Sequence, residues 1–442
     1  MIRIIVIIST IFISHCSFDN KTGIWKNNSE INTKKKESQF KDFKTIYASE
    51  ESFNKIISPP DSLKIELFKI KTNLKWTDEF YKDNNNLDNF SYKNLNKIVF
   101  KSKKLSKYKV KENLLFDGEN VVLTDEKGNV IIYSVAKQQI IYEYNFYKNK
   151  FKGFKKNLYL IIEGNIIYVA DNIGYFYALD YKKEKLLWAK NFKVPFRSNL
   201  KIHKNKIFLA NQNNTLFSIN KADGERLRFV PSEEIILSNN FINSLAINDN
   251  SLLFLNTFGT LYSLNISDLK INWFVNLSQS VGSDINDIFF SNQITANKDN
   301  IIVSTDPYLY VLDFKTGATI SKKLITSITK PILSKNGLFL LTKDDLLIYK
   351  DLKTQKIIYS VNVVDKIANF LNTKKKTIYI NSFFIVNNEL FIFLENSYLI
   401  KFNIIGDIQQ INKLPLNIRT SPIFINDSIL YLDKKKKLVI LN

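Results

Sequence analysis

The chain has 442 residues and is 45% hydrophobic, enough for one large or two ordinary buried cores. It carries 63 Lys and Arg against 42 Asp and Glu, a net charge of +21. The lysines are scattered rather than clustered with stacking aromatics, which speaks against a nucleic-acid surface; they fit a composition also rich in Asn and Ile. Phe (34) and Tyr (21) are abundant and no long helical-period segment occurs, so the reading is all-β.

The N-terminus has Arg3 as a minimal positive region and an apolar run, Ile4 to Ile13, interrupted only by Ser9 and Thr10. That run is too short to span a bilayer and suits a secretory signal. It ends at Ile13-Ser14-His15-Cys16, and Cys16 is the chain's single cysteine. This resembles the lipobox of bacterial lipoproteins, which implies a signal peptide over 1–15 and lipidation at Cys16. His15 departs from the pattern, where a small residue normally stands. Ser17 in place of Asp implies, by the same resemblance, sorting to the outer membrane. One cysteine permits no intramolecular disulfide, so burial and ladder hydrogen bonds must hold an exported fold.

Residues 16–62 are polar and patternless, with Lys34-Lys35-Lys36 and the Pro59-Pro60 stop, and read as a flexible tether. Gly23-Ile24-Trp25 within it offers an aromatic for an interface. From Leu63 the pattern becomes strand-like: Leu63-Lys64-Ile65-Glu66-Leu67 alternates, and Trp76 follows.

Ile166 to Trp188 shows the unit that recurs: two short strands around the Asp171-Asn172-Ile173-Gly174 turn, then a second turn and a strand ending in Trp188. Copies of the tight turn fall at Gly128, Gly174, Asn214, Gly259, Pro307, Asp345, Ser397 and Lys436. The mean spacing, about 44 residues, matches a four-stranded propeller blade. The expected fold over 63–442 is therefore an eight-bladed β-propeller. Because the chain stops after the third strand of the last copy, an N-terminal strand around Leu63 to Trp76 is expected to complete that blade and remove its open edge. A solenoid would need polar caps, which are missing.

Tyr177-Ala178-Leu179-Asp180, Tyr310-Val311-Leu312-Asp313 with Lys315-Thr316-Gly317, and Trp188 and Trp273 resemble the quinoprotein-type (PQQ-like) repeat. Tyr142, Phe229 and Tyr359 are read as standing where that repeat prefers Trp. The lipobox, tether, Trp76 and eight repeats together resemble the BamB family of outer-membrane assembly lipoproteins. The resemblance implies a non-catalytic periplasmic scaffold, anchored in the outer membrane, that binds BamA through its periplasmic domains and aids folding and insertion of outer-membrane proteins. It places an Arg-containing loop at Val194-Pro195-Phe196-Arg197-Ser198 and an acidic loop at Ser283 to Ile288. Arg197 would make the charge-assisted contact and Phe196 the apolar anchor. Asp287 would hold the acidic position, with Asp284 beside it. The bland alternative is that Arg197 pairs locally and Asp287 caps a turn. Pairing of an exposed blade edge with unfolded barrel strands is a second mode that nothing in the sequence selects.

Catalytic signatures are scarce. The histidines are His15 and His203, and no Ser/His/Asp set, metal-spaced His/Cys cluster or phosphate-cradling glycine loop occurs. Asp344-Asp345 sits in a turn, where Asp is expected for backbone reasons. The expectation is no enzyme, no cofactor and no metal. Two alternatives stay open: a propeller for another envelope partner or a polysaccharide, and a degenerate propeller for a quinone cofactor.

Overall fold

The computed structural model describes residues 52–148, 150–234, 241–278, 289–375 and 378–442, and the backbone of two short strands, Cys16–Phe18 and Trp25–Asn27, which pair antiparallel. Eight four-stranded antiparallel blades form a ring, an eight-bladed β-propeller. Blades 1 to 7 span residues 115–145, 158–191, 201–230, 244–276, 295–324, 332–362 and 380–413. Blade 8 combines residues 423–441 with Ile98–Lys104. Among the described residues a helix, α1 (Val363–Phe370), links blades 6 and 7, with the Asn362 side chain accepting from the Asp365 N–H at its start.

Each blade is a meander whose two middle strands are almost fully buried, as in Ile166–Asp171 and Tyr175–Asp180, while its outer strand alternates, as in Lys185–Asn191. All eight expected turns join the second and third strands of their blades. Asn214, Asp345, Ser397 and Lys436 adopt left-handed φ of 58°, 59°, 71° and 62° without being glycine. A side chain a few residues earlier helps to hold such turns: Asn211 accepts from the N–H groups of Asn213 and Thr215, and Asp433 from that of Lys437. The fifth turn carries a cis Asp306–Pro307 peptide, and Thr305 Oγ1 there accepts from the Tyr308 N–H.

The Asp and Gly of the repeat motif act at the turn between third and fourth strands. Asp313 accepts from the N–H groups of Lys315 and Thr316 and from the Thr316 hydroxyl. Gly317 follows at φ +74°, and a Cβ there would lie 2.5 Å from Trp273 Cε3 of the preceding blade. Gly224 stands in the same relation to Trp188. Motif glycine and motif tryptophan thus belong to neighbouring blades and exist for each other. The register sets Arg228, not Phe229, opposite Ser218 at the Trp position of blade 3; the bulge that follows shifts the count by one.

Ring closure differs from expectation. Ile98–Lys104, not the stretch around Leu63 to Trp76, is the outer strand of blade 8, with Leu441 opposite Ile98 and Val439 opposite Lys101. Leu63, Ile65 and Leu67 instead lay half-buried faces on the core, and the Glu66 carbonyl accepts from the Lys335 N–H of blade 6. Contacts with the propeller begin within the stretch read as tether: Phe53 N–H donates to Leu324 O, and Ile57 pairs with Ser360.

Candidate functional site

A propeller brings all its blades together only along its central channel. Here that channel is entered by the chain's own residues 76–90. Trp76 exchanges backbone hydrogen bonds with Phe116, beside the first turn of blade 1. The segment then descends. Thr77 O accepts from Ile162 N–H and the Glu79 carboxylate from Leu160 N–H, both of blade 2. It turns and returns past blades 4 to 6: Asp83 O accepts from Ile247 N–H and Asn84 O from Ala296 N–H. The Asn85 amide donates to Leu245 O and Ile294 O, and the Asn86 amide to Leu333 O. It leaves as the strand Asn89–Phe90, parallel to Ile380–Val386 of blade 7 and again beside a first-to-second-strand turn. The Phe90 ring stacks on Phe424 of blade 8 at 5.4 Å. Entry and exit lie on one face, so the segment is a U-shaped insert touching inner strands around the ring.

Two of its carboxylates, Asp78 and Glu79, are paired by lysines from outside it. Lys201, fully buried, donates to Asp78 at 2.6 Å and to Lys82 O at 2.7 Å. Lys111 donates to Glu79 at 2.9 Å and to Leu158 O. Lys330 donates to two carbonyls of the insert, Phe80 O at 3.1 Å and Asn85 O at 2.5 Å. Burial lowers the Lys330 pKa to about 7; Lys201 and Lys82 push the same way and Asp78 opposes. Burial raises the Asp83 carboxyl, against Lys201. The Tyr81 phenol is driven far up, by burial first and then by its hydrogen bond to Asp88. Beyond the turn of the insert, toward the opposite mouth, a cavity of about 430 Å³ remains.

The Arg197 loop sits between blades 2 and 3. Its backbone is clamped: Arg197 N–H donates to Ala210 O at 3.0 Å and its carbonyl accepts from Asn243 N–H at 2.9 Å. The side chain is half-buried, which lowers its pKa, with Tyr159 acting in the opposite sense. Phe196 is only 1% exposed and packs edge-on against Phe176, Phe192 and Phe217. The expected apolar anchor is therefore a core residue that supports the loop from beneath, because the turn folds it inward between two blades. Asp284 and Asp287 lie outside the described residues, as does the Cys16 side chain.

Sequence reasoning missed the insert. Its available signal was Trp76 followed by a run of amide and acid side chains, Asp83-Asn84-Asn85-Asn86, ahead of the closing strand. Asn85 is fully buried and Asn86 nearly so, although such a run reads as a surface loop. Among the described residues no cluster of three or more His, Cys, Asp or Glu side chains could hold a metal ion.

The family model described as outer membrane protein assembly factor BamB matches residues 153–361. No curated protein sequence matches the chain significantly. Among solved structures, BamB from Moraxella catarrhalis is similar with a TM-score of 0.61 and 13% identity, covering 78% of this chain and 99% of that one. The quinohemoprotein alcohol dehydrogenase ADHIIG from Pseudomonas putida HK5 is similar with a TM-score of 0.60 and 9% identity, covering 84% and 80%. The computationally designed protein Ika8 reaches 0.56 at 13% identity, covering 78% and 99%. At such identities the structural likeness speaks to the fold alone, and that fold includes a BamB, dehydrogenases and a design.

Proposed function

The chain is a BamB-like propeller of PQQ-type repeats, and from that premise we propose that it is a non-catalytic scaffold lipoprotein of the outer-membrane β-barrel assembly machinery. In this reading Cys16 carries the lipid, the propeller lies in the periplasm, and its loops grip a BamA-like barrel protein through that protein's periplasmic domains. The observation that carries the reading is the channel insert. A propeller enzyme needs a centre where side chains from many blades converge on a substrate, and here residues 76–90 spend those convergent groups on the protein's own backbone. What remains for a protein partner is the loop surface, rigidly held by the blades.

Arg197 is proposed as the contact; its backbone is fixed to blades 3 and 4, so the loop that carries it needs no further ordering of its main chain on binding. Asp284 and Asp287 are proposed to act with it, and Phe196 to brace it. The test is crosslinking and affinity recovery from solubilised membranes with the full chain as bait. A large barrel protein with periplasmic domains should be recovered by the wild type and lost with Arg197→Glu. Cys16→Ala should move the protein from the membrane to the soluble fraction. Unchanged recovery with Arg197→Glu rejects the assigned contact, and recovery of no barrel protein by the wild type rejects the function.

A further inference from the structure

The channel insert closes only part of the channel. At the opposite mouth the cavity of about 430 Å³ has Phe80 and Glu79 in its floor and Asn113, Gln293, Thr329 and Ser382 in its walls. Its volume lies within the ~300–1,000 Å³ usual for small-molecule sites. The lining mixes amide and hydroxyl groups with apolar side chains such as Leu87 and Phe383, and the buried Thr329 hydroxyl has no hydrogen-bond partner.

One wall is Lys330. An ammonium carries three N–H donors, and two of these are used on Phe80 O and Asn85 O, both neutral acceptors. Among the described residues no carboxylate comes within ion-pair distance of it. The nearby charges are otherwise spoken for. Asp78 is taken by Lys201, Glu79 by Lys111 and the Leu160 N–H, and Glu112, at the exposed rim, lies 4.0 Å from Arg419. Lys82 is held by Asp88.

From this arrangement we propose that the cavity binds a small organic carboxylate that also bears an amide or hydroxyl group, its carboxylate against Lys330 and its polar group against Thr329 and the amide wall. A monoanion fits better than a phosphate dianion, because one lysine offers one remaining donor and Glu79 and Glu112 limit the anionic charge the cavity tolerates. The site does not depend on the scaffold reading above.

Lys330 titrates near pH 7 in the free protein, so binding a carboxylate above that pH must draw a proton onto it. Affinity then falls as pH rises through and above 7, by up to about tenfold per unit.

The test is isothermal titration of the full chain with N-acetylglycine and with its neutral amide, from pH 6 to 9, in buffers of differing ionisation heat. The expected result is one site for N-acetylglycine, none for the amide, and proton uptake that appears as pH passes 7. Lys330→Gln, which keeps a donor for the insert, should abolish binding, and the exposed-lysine control Lys343→Met should retain it. Thr329→Val should weaken it severalfold. Equal binding of acid and amide, full binding by a folded Lys330→Gln, or no binding of either probe by the wild type each overturns the proposal. Should Lys330→Gln not fold, the wild type decides by the comparison of acid with amide: equal binding of the two rejects it.

Discussion

The junction of blades 2 and 3 and that of blades 1 and 2 use the same repeat position in opposite ways. At the first, Trp188 lies on Gly224 and its indole N–H donates to Lys221 O at 3.0 Å. At the second, Tyr142 takes the Trp position and Glu184, at φ +52°, takes the glycine position. The Tyr142 hydroxyl there is buried without a partner. The same contrast continues round the ring. Trp273 meets Gly317 and Tyr359 meets Gly406, whereas Arg228 precedes Leu269 and Ser321 precedes Gln355. At these junctions the glycine is present only where a ring faces it, because a glycine without the ring gives up conformational entropy for nothing, and Tyr142 is a ring with no such seat. Junctions lacking the pair must be held by other means. At blades 5 and 6 the N-terminal arm does this, Phe53 bonding to Leu324 and Ile57 to Ser360. At blades 3 and 4 the Asn199 side chain exchanges two hydrogen bonds with Leu245.

The largest expected effect comes from removing the inner hold. Lys201→Met leaves Asp78 buried and unpaired in the channel, with a cost of about 3–5 kcal/mol. Urea unfolding followed by tryptophan fluorescence would measure it. A cost below about 1 kcal/mol would mean that the insert contributes little to closing the ring.

Next comes the glycine seat. Gly224→Ala forces a Cβ to 2.5 Å from the Trp188 ring at a left-handed φ, and about 2–4 kcal/mol is expected from overpacking and backbone strain together. Glu184→Gly at the junction without a seat should stay within about 1 kcal/mol of zero, since relief of left-handed strain is offset by chain entropy. Equal effects at the two sites would erase the distinction between junctions.

How far the sequence revealed this arrangement depended on distance along the chain. The eight tight turns were legible because they are local devices, several of them held by a side-chain acceptor a few residues before the bend, and they recur about every 44 residues. The Trp and Gly of the motif were legible as residues but not as partners, since Trp188 and Gly224 belong to different repeats. The closing strand was misplaced because Leu63 to Leu67 alternates at least as well as Ile98 to Lys104, and periodicity cannot say which one meets Leu441. The insert was invisible for a stronger reason. Asn85 and Asn86 satisfy main-chain carbonyls of Leu245, Ile294 and Leu333, and no local pattern marks an amide for a strand in another blade. The resemblance gives Phe196 as an apolar anchor for a partner, and only the Phe rings packed around it show that it belongs to the core.

A smaller effect separates the two tyrosines at Trp positions. Tyr359 replaces the indole donor with its hydroxyl, which donates to Ile404 O at 2.7 Å. Tyr359→Phe leaves that carbonyl without its donor and should cost about 1–2 kcal/mol. Tyr142→Phe removes a hydroxyl that has no partner and should be neutral or slightly stabilising. Thermal unfolding of the two variants side by side tests this, and a shift of the same sign and size in both would contradict it.

The smallest effect asks whether a seat can be built where none exists. Tyr142→Trp alone sets an indole against Glu184, and Glu184→Gly alone exposes a turn with no ring on it. Combined, they reproduce the geometry of Trp188 on Gly224. The acceptor is also in place, because Tyr181 follows the third strand of blade 2 as Lys221 follows that of blade 3, each donating its N–H to the turn after the first strand, at Asn165 and Asn205. A double-mutant cycle should therefore return a favourable coupling of about 0.5–1 kcal/mol even if neither single change stabilises the protein. Coupling near zero would mean that the turn of blade 2 cannot accept a ring from blade 1, and that the junctions differ in backbone placement as well as in side chains.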